Sequence, residues 1–293
     1  MRFEGLLTAL VTPFRDGVFD EQAFRTLIRR QLDAGVDGLV PCGTTGEAPT
    51  LSVADHSRAV QLAVEEAAGT VPVLAGIGSN STATAIANAQ RVVDLGAQGV
   101  LATAPYYNKP TQDGLFLHFQ AIAQATAAEV CLYDVPGRTS VHIEPQTVQR
   151  LAEIDNITCL KDATADMLNG AHVLRRCGDQ FAVLSGDDFT AFPLIALGGA
   201  GCISVTSNVD PVRMKALIDA ARAGDLTTAR NLQRQLLPLF EAMFFETNPL
   251  PAKTALACMG LIAEEFRLPL CTMTAPNRAR LLDVLRNDGL LEA

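Results

Sequence analysis

The chain repeats one pattern eight times: a short apolar run is followed by a segment with helical periodicity. After Asp20, for example, Phe24, Leu27 and Ile28 fall on one helical face, as in an amphipathic helix that Asp20 caps. Strands that alternate with helices predict parallel β–α units, and eight such units favour a closed (β/α)8 barrel over an open doubly wound sheet. The eight apolar runs are 5–13, 35–43, 71–78, 99–105, 129–136, 157–162, 181–187 and 201–207.

After residue 211 the strand-like runs stop, and the pattern is helical with a break at Gly224–Asp225 and a turn at 248–253. We therefore predict an α/β protein, a (β/α)8 TIM barrel with a C-terminal helical extension. Residues 1–224 form the barrel with the active site, and residues 225–293 form the helical region. No G-x-G-x-x-G motif opens a helix after the first strand, which counts against a dinucleotide fold.

Composition excludes several classes of protein. The net charge is −9 and no large Lys/Arg cluster occurs, which argues against a nucleic-acid partner. No window approaches 18 uninterrupted apolar residues and the N-terminus lacks a signal peptide, so we expect no membrane association and a cytoplasmic location.

The cysteines and histidines predict neither disulfides nor a metal site. The seven cysteines are odd in number and contain no C-x-x-C, and four lie inside strand-like runs, which is typical of reduced core residues. None of the four histidines has metal-ligand spacing. The four strand cysteines are Cys42, Cys131, Cys159 and Cys202.

Lys161 is the only one of four lysines attached to an apolar strand. Burying a lysine is costly unless it is paired or neutral, and the simple alternatives are a side chain that reaches solvent or a partner for Asp162. In a barrel, function lies at the C-terminal strand ends, where Tyr133 ends the neighbouring strand. Alternation predicts that Lys161, Cys159 and Ile157 point inward and Asp162 outward. A desolvated lysine near a phenol is suited to imine chemistry.

Other strand ends carry polar groups that each allow a simpler explanation. The G-T-T-G-E segment 43–47 suits a tight turn, the tyrosine pair 106–107 suits packing, and Arg138 suits a solvated loop. For Asp187–Asp188 we prefer a helix-capping role to a catalytic carboxylate pair.

Seven motifs together resemble the dihydrodipicolinate synthase (4-hydroxy-tetrahydrodipicolinate synthase) family of pyruvate-dependent class I lyases. The resemblance covers essentially the whole chain, and the arginine of YDVPGRT favours the synthase over sialic-acid lyases. It implies condensation of pyruvate with L-aspartate 4-semialdehyde through a lysine Schiff base, without a cofactor, in the diaminopimelate route to lysine. The motifs are GTTGE, APYYNKP, YDVPGRT, LKDAT, LSGDD, ISVTSNV and NPLPAK.

The resemblance also implies roles for individual residues. Lys161 matches the Schiff-base lysine and Tyr133 the proton donor and acceptor. Thr44 matches the hydroxyl that links this phenol to Tyr107 of a neighbouring subunit, which implies a homo-oligomer, a dimer of dimers. Arg138 matches the group that holds the carboxylate of the second substrate. The remaining matches to the pyruvate pocket are Thr45, Gly186 and the backbone near Ile203.

The same resemblance bears on regulation. In lysine-inhibited relatives the end product binds at the tight-dimer interface, near the loop after GTTGE and the segment after strand three, and His56, Asn80 and Tyr106 match residues there. Three polar contacts are lost, and we expect weak inhibition by lysine. They are Ala48 in place of a serine, Val53 in place of a histidine and Thr84 in place of a glutamate.

Three alternatives remain at this point. A sister lyase would use the same imine on a 2-keto-3-deoxy-sugar acid or N-acetylneuraminate. A non-catalytic barrel would lack part of the Lys161, Tyr133, Thr44 and Tyr107 set, which this chain retains. A pyridoxal-phosphate enzyme would need a phosphate-cradling loop, and no convincing one is present.

Overall fold

The structure, a computed structural model, describes residues 3–291. Eight parallel strands form one sheet, in which the second strand pairs with the first, the first with the eighth, and the others follow in descending order down to the third. The two ends of this order meet where Leu39 pairs with Val73 and the Gly76 N–H donates to the Pro41 carbonyl oxygen at 2.9 Å. The predicted barrel is confirmed. Its strands are β1 (Gly5–Ala9), β2 (Gly38–Val40), β3 (Leu74–Gly76), β4 (Gly99–Thr103), β5 (Glu129–Asp134), β6 (Ile157–Asp162), β7 (Ala182–Ser185) and β8 (Gly201–Ser204).

Helices follow the strands and cover the outside of the barrel. The Asp20 carboxylate accepts a hydrogen bond from Ala23 N and caps the helix Glu21–Asp33, as predicted. The Ser52 hydroxyl accepts one from Asp55 N and caps the helix Val53–Ala67 in the same way. The barrel helices are α1 (Glu21–Asp33), α2 (Val53–Ala67), α3 (Thr82–Asp94), α4 (Gln112–Gln124), α5 (Pro136–Thr139), α6 (Pro145–Leu151), α7 (Met167–Cys177), α8 (Asp188–Ala196) and α9 (Pro211–Arg222).

The C-terminal region is helical, as expected. Helix α9 ends just before Gly224, and Asp225 caps the next helix, α10 (Leu226–Ala242). Helix α10 packs against α8 and α9. Two further helices follow, α11 (Leu250–Cys258) and α12 (Ala275–Asn287). A two-stranded antiparallel hairpin after β1 was not predicted; it joins Phe14–Arg15 to Val18–Phe19. Within residues 3–291, no helix is long and apolar enough to cross a membrane.

Apolar side chains fill two separate layers. One lies between the strands and the helices, and the other fills the interior of the barrel. Cys131 and Cys159 belong to the interior layer, Cys42 and Cys202 to the outer one, and all four are buried, as expected for core residues. None of the seven cysteines is in a disulfide.

The pairing of β5 with β6 contains an irregularity that the alternation rule does not foresee. Val130 pairs with Ile157 but Cys131 pairs with Cys159, so Thr158 is an extra residue in the ladder. Such a bulge shifts the side-chain alternation by one position. Ile157 therefore packs in the outer layer, and its predicted inward orientation was wrong; Cys159 packs in the interior layer, as expected.

Candidate active site

Lys161 and Tyr133 meet at the C-terminal end of the barrel. They are direct partners in the parallel pairing of β5 and β6, and the Lys161 Nζ atom lies 4.4 Å from the centroid of the Tyr133 ring. Both side chains are buried, and Lys161 forms no salt bridge with any residue that the structure describes. Asp162 points outward, where its carboxylate accepts from Thr164 and Asn169. Asp162 is therefore not the ion-pair partner of Lys161.

Gly186 leaves room for the lysine. It follows β7, and a Cβ atom added to it would lie 3.1 Å from Lys161 Cε and 2.7 Å from Ala163 Cβ. Contacts that short would force the lysine or its neighbour to move. The glycine therefore permits a side chain of the length of lysine to reach the centre of the site. Ile203, on β8, is fully buried in the interior layer.

The G-T-T-G-E segment forms a tight turn after β2. Gly46 N and Ala48 N both donate to the Gly43 carbonyl oxygen, and Cys42 and Glu47 adopt positive φ values of 58° and 53°. The predicted turn is thus correct. It presents the Thr44 side chain to a cavity of about 280 Å³, with Thr45 buried behind it.

A buried ion pair holds this turn from below. The Glu47 carboxylate lies 2.5 Å from Lys253 Nζ, and neither side chain is exposed to solvent. Lys253 Nζ also lies 4.3 Å from the ring centroid of Phe14 and 5.0 Å from that of Phe266, both within cation–π range. Burial lowers the pKa of Lys253, whereas the Glu47 carboxylate opposes that shift. The protein thus buries two lysines, Lys161 on β6 and Lys253 on α11.

Arg138 reaches the same cavity from α5, a short helix where the sequence predicted a loop. Its Nη2 atom donates to the backbone carbonyl oxygen of Asn248 at 3.1 Å. The Asn248 side-chain Nδ2 in turn donates to the Thr45 hydroxyl at 3.0 Å. Asn248 thus connects two of the predicted binding residues. It belongs to the NPLPAK motif, which was the available signal for Asn248 and Lys253, although their contacts were not foreseen.

Tyr107 does not pack within its own chain. Its side chain is 89% exposed, and it lies in the loop between β4 and α4 with a backbone φ of 72°. The structure therefore brings Lys161, Tyr133, Thr44 and Arg138 to one end of the barrel but leaves Tyr107 projecting away from the chain.

The two aspartates after β7 have different surroundings. Asp187 stands at the N-cap position of α8, but its carboxylate makes no capping bond, and the Asp188 carboxylate accepts from the N–H and hydroxyl of Thr206 instead. The predicted capping by these side chains was therefore wrong: the contact with Thr206 orients Asp188 away from the helix end, and the Asp187 carboxylate oxygen Oδ2 is buried without a hydrogen-bond partner in the described chain. Burial raises the pKa of Asp187 to about 6, although the nearby charge of Lys161 opposes the rise.

The residues matched to a lysine site lie beside the cavity. His56, Tyr106 and Ala48 line it, and His56 Nε2 is 2.9 Å from the Gly76 carbonyl oxygen. Burial lowers the pKa of His56, so this ring is neutral near pH 7. The Asn80 carbonyl oxygen accepts a hydrogen bond from Asn108 Nδ2. In the described part of the chain, no group of three or more His, Cys, Asp or Glu side chains could hold a metal ion.

A buried lysine against a phenol, at the C-terminal end of a (β/α)8 barrel, is the arrangement expected of a Schiff-base-forming lyase. Comparison with known proteins narrows this class. The chain belongs to the dihydrodipicolinate synthetase family, whose model matches residues 2–288.

Individual relatives agree with this assignment. A protein of Thermodesulfovibrio yellowstonii named 4-hydroxy-tetrahydrodipicolinate synthase is 51% identical over 290 residues, which is 99% of this chain and 100% of the relative. A solved dihydrodipicolinate synthase from Cyanidioschyzon merolae with lysine bound is 37% identical, with a TM-score of 0.95 over 99% of each chain. A solved monomeric dihydrodipicolinate synthase variant is 40% identical, with a TM-score of 0.97, covering 99% of this chain and 98% of the variant.

Proposed function

We propose that this chain is a cytoplasmic 4-hydroxy-tetrahydrodipicolinate synthase, which condenses pyruvate with L-aspartate 4-semialdehyde in the diaminopimelate route to lysine. The observation that carries the proposal is the position of Lys161 Nζ, buried 4.4 Å from the Tyr133 ring centroid at the C-terminal end of the barrel. Full-length relatives that are about half identical to the chain carry this name.

In the first half of the reaction, Lys161 Nζ attacks the keto carbon of pyruvate and water leaves, which gives a protonated imine. The imine withdraws electrons, so a proton of the pyruvate methyl group can be removed and an enamine forms. We assign the proton transfers to Tyr133, with Thr44 and a tyrosine from a second subunit as its relay. Thr45 and the backbone near Ile203 contact the pyruvate carboxylate, and Gly186 leaves space for the adduct.

In the second half, the enamine carbon attacks the aldehyde carbon of the second substrate. Tyr133 supplies the proton that the new alkoxide needs. The amine of the former aldehyde substrate then attacks the imine carbon, closes the ring and expels Lys161 as a free amine. Arg138 holds the carboxylate of this substrate by a charge-assisted hydrogen bond. The net charge of −9 does not prevent anion binding, because Arg138 acts locally at the cavity.

The direct test is turnover with competing substrates. Pyruvate with L-aspartate 4-semialdehyde should give product, whereas cleavage of N-acetylneuraminate or a 2-keto-3-deoxy-sugar acid should be slow. The reverse ranking would assign the chain to a sister lyase, and no imine with pyruvate at all would identify a non-catalytic barrel.

Arg138→Ala should impair the aldehyde step and spare the imine step. A hydrogen bond to a charged group is worth about 1.5–3 kcal/mol, so the kcat/KM for L-aspartate 4-semialdehyde should fall at least about tenfold. Borohydride trapping of pyruvate should persist, because Arg138 lies on α5 and not beside Lys161. Arg150→Ala, which removes an exposed ion pair with Asp113 on the outer helices, is the control and should leave both measurements unchanged. An unchanged kcat/KM in Arg138→Ala would remove Arg138 from the site.

Tyr107 is the basis for proposing a homo-oligomer, a dimer of dimers. A tyrosine that is 89% exposed can serve a relay only if its ring enters another chain. Because the family includes a monomeric variant, membership alone does not decide the assembly.

A mixing experiment tests the exchange of Tyr107. Tyr107→Phe and Lys161→Ala should each be nearly inactive as homo-oligomers. A mixed dimer contains one site with both an intact Lys161 and an intact Tyr107 from its partner, so refolding the two variants together should restore activity. Refolding Tyr107→Phe with Tyr133→Phe should restore activity in the same way. Failure of both mixtures, despite proven mixed dimers, would show that Tyr107 acts within its own chain or not at all.

We predict that L-lysine inhibits weakly or not at all below millimolar concentration. Thr84 is exposed and offers no anion to the ammonium group of lysine. Asp55 could replace the missing glutamate only if its carboxylate were free, but it already pairs with Arg267 at 2.8 Å. The relatives' lysine site lies between two subunits, where the ligand leaves water, and the loss of a charged partner at such a site costs about 2–5 kcal/mol of binding free energy. The measurement is a lysine titration of steady-state activity at fixed pyruvate. Thr84→Glu should increase the inhibition, and strong inhibition of the unmodified enzyme by micromolar lysine would contradict the prediction.

A further inference from the structure

Asn248 lies where the two substrate-binding groups meet. Its Nδ2 atom donates to the Thr45 hydroxyl at 3.0 Å, and its backbone carbonyl oxygen accepts from Arg138 Nη2 at 3.1 Å. The residue is 6% exposed, so it is buried between the turn after β2 and the short helix α5. One residue of the C-terminal region therefore touches both the group assigned to pyruvate and the group assigned to the aldehyde substrate.

The side-chain oxygen of Asn248 lacks a donor. The Oδ1 atom is buried, and no N–H or O–H group among residues 3–291 donates to it. The amide places Nδ2 against the Thr45 hydroxyl oxygen, which leaves Oδ1 on the other side. This orientation leaves the Thr45 O–H free to donate to the pyruvate carboxylate. Buried carboxamide oxygens are almost always hydrogen-bonded, so this one is suited to a donor on a ligand.

We propose that Asn248 Oδ1 accepts a hydrogen bond from the amino group of the aldehyde substrate, and thereby selects an α-amino semialdehyde over the same aldehyde without the amino group. This inference rests on the proposed function. In L-aspartate 4-semialdehyde the ammonium and the carboxylate are attached to the same carbon. A carboxylate on Arg138 therefore brings the ammonium to the residue whose carbonyl oxygen Arg138 already binds.

A neutral acceptor suits the chemistry that follows. The nitrogen must lose a proton before it can attack the imine carbon and close the ring. An amide oxygen orients the ammonium, but it favours the charged form less than a carboxylate would. An asparagine thus binds the amino group without holding it in the unreactive form.

The test compares two aldehydes in two enzymes, with pyruvate consumption as the readout. The probe is 4-oxobutanoate, which has the carboxylate and aldehyde of the substrate but no amino group. In Asn248→Ala, kcat/KM for L-aspartate 4-semialdehyde should fall about tenfold or more, whereas kcat/KM for 4-oxobutanoate should stay within about twofold of the unmodified value. An equal loss for both aldehydes, or no loss for either, would overturn the proposal.

Control variants test the Asn248 contact separately from the proposed synthase activity. Asn277→Ala removes another amide of the C-terminal region, one that donates to Glu246 Oε1 at 3.0 Å, and should change neither value. Borohydride trapping of pyruvate in Asn248→Ala shows that the Lys161 site is intact. If the variant does not fold, the unmodified enzyme still decides, because equal kcat/KM values for the two aldehydes would contradict selection by an amino contact. In the unmodified enzyme, trapping of pyruvate without any turnover of L-aspartate 4-semialdehyde would instead refute the proposed function.

Discussion

Replacing Lys161 with alanine should abolish trapping of pyruvate by borohydride and lower turnover at least about a hundredfold, since the covalent route is lost while the binding groups remain. In the unmodified enzyme, reduction should convert the imine into a stable secondary amine, and peptide mapping should find it at Lys161 alone. The reason is structural: Lys161 Nζ is the lysine nitrogen that faces the Tyr133 ring inside the barrel.

The controls distinguish charge from chemistry. Lys161→Arg retains a cation of similar length but cannot form an imine, so it should be as inactive as Lys161→Ala. Lys215→Ala, on the outer helix α9, should be fully trapped and fully active. An adduct at Lys109, Lys215 or Lys253 would disprove the assignment of Lys161.

The sequence correctly predicted that Lys161 and Tyr133 lie close together, and the cause is local. Both residues end short apolar strands, and the ends of neighbouring parallel strands lie at one edge of a barrel whatever the loops do. The inward orientation of Lys161 was correctly predicted because alternation holds from Cys159 to the strand end. The alternation rule failed at Ile157, because the extra residue Thr158 in the ladder cannot be recognised from the hydrophobic pattern.

Removing the buried partner of Glu47 should be the most destabilising of the substitutions considered. Lys253→Met should lower the free energy of unfolding by about 3–5 kcal/mol, because it leaves the Glu47 carboxylate, with 0% side-chain exposure, without its ammonium partner. Chemical denaturation followed by circular dichroism measures this loss. Activity should fall as well, since Glu47 ends the turn that presents Thr44 and Thr45.

A surface pair in the same protein provides the matched control. Lys215 Nζ lies 2.5 Å from an Asp219 carboxylate oxygen, the same separation as in the buried pair, but the Asp219 side chain is 51% exposed. Lys215→Met should therefore cost no more than about 1 kcal/mol. Adding Glu47→Gln to Lys253→Met should recover part of the loss, because it removes the unpaired charge. If the two lysine substitutions cost the same, Glu47 is not desolvated and the pair is not what holds the turn.

Contacts between distant parts of the chain were beyond the reach of sequence reasoning. Asn248 is 203 residues from Thr45, and Lys253 is 206 residues from Glu47. NPLPAK marked the right segment, but no periodicity relates a C-terminal turn to a loop after the second strand. The same holds for Asp188. Its position in the sequence suggested a helix cap, but its carboxylate accepts a hydrogen bond from Thr206 instead.

The separation of Glu47 from Lys253 has a consequence for the order in which the protein is made. A ribosome synthesises Glu47 early, and the cation that makes its burial tolerable only after 206 more residues. Until Lys253 has been synthesised, the Glu47 carboxylate is more stable in water than buried. We therefore expect the turn with Thr44 and Thr45 to remain solvent-exposed while the eight strands are synthesised. The turn should reach its final conformation, and the enzyme should become active, only after Lys253 on α11 has been synthesised.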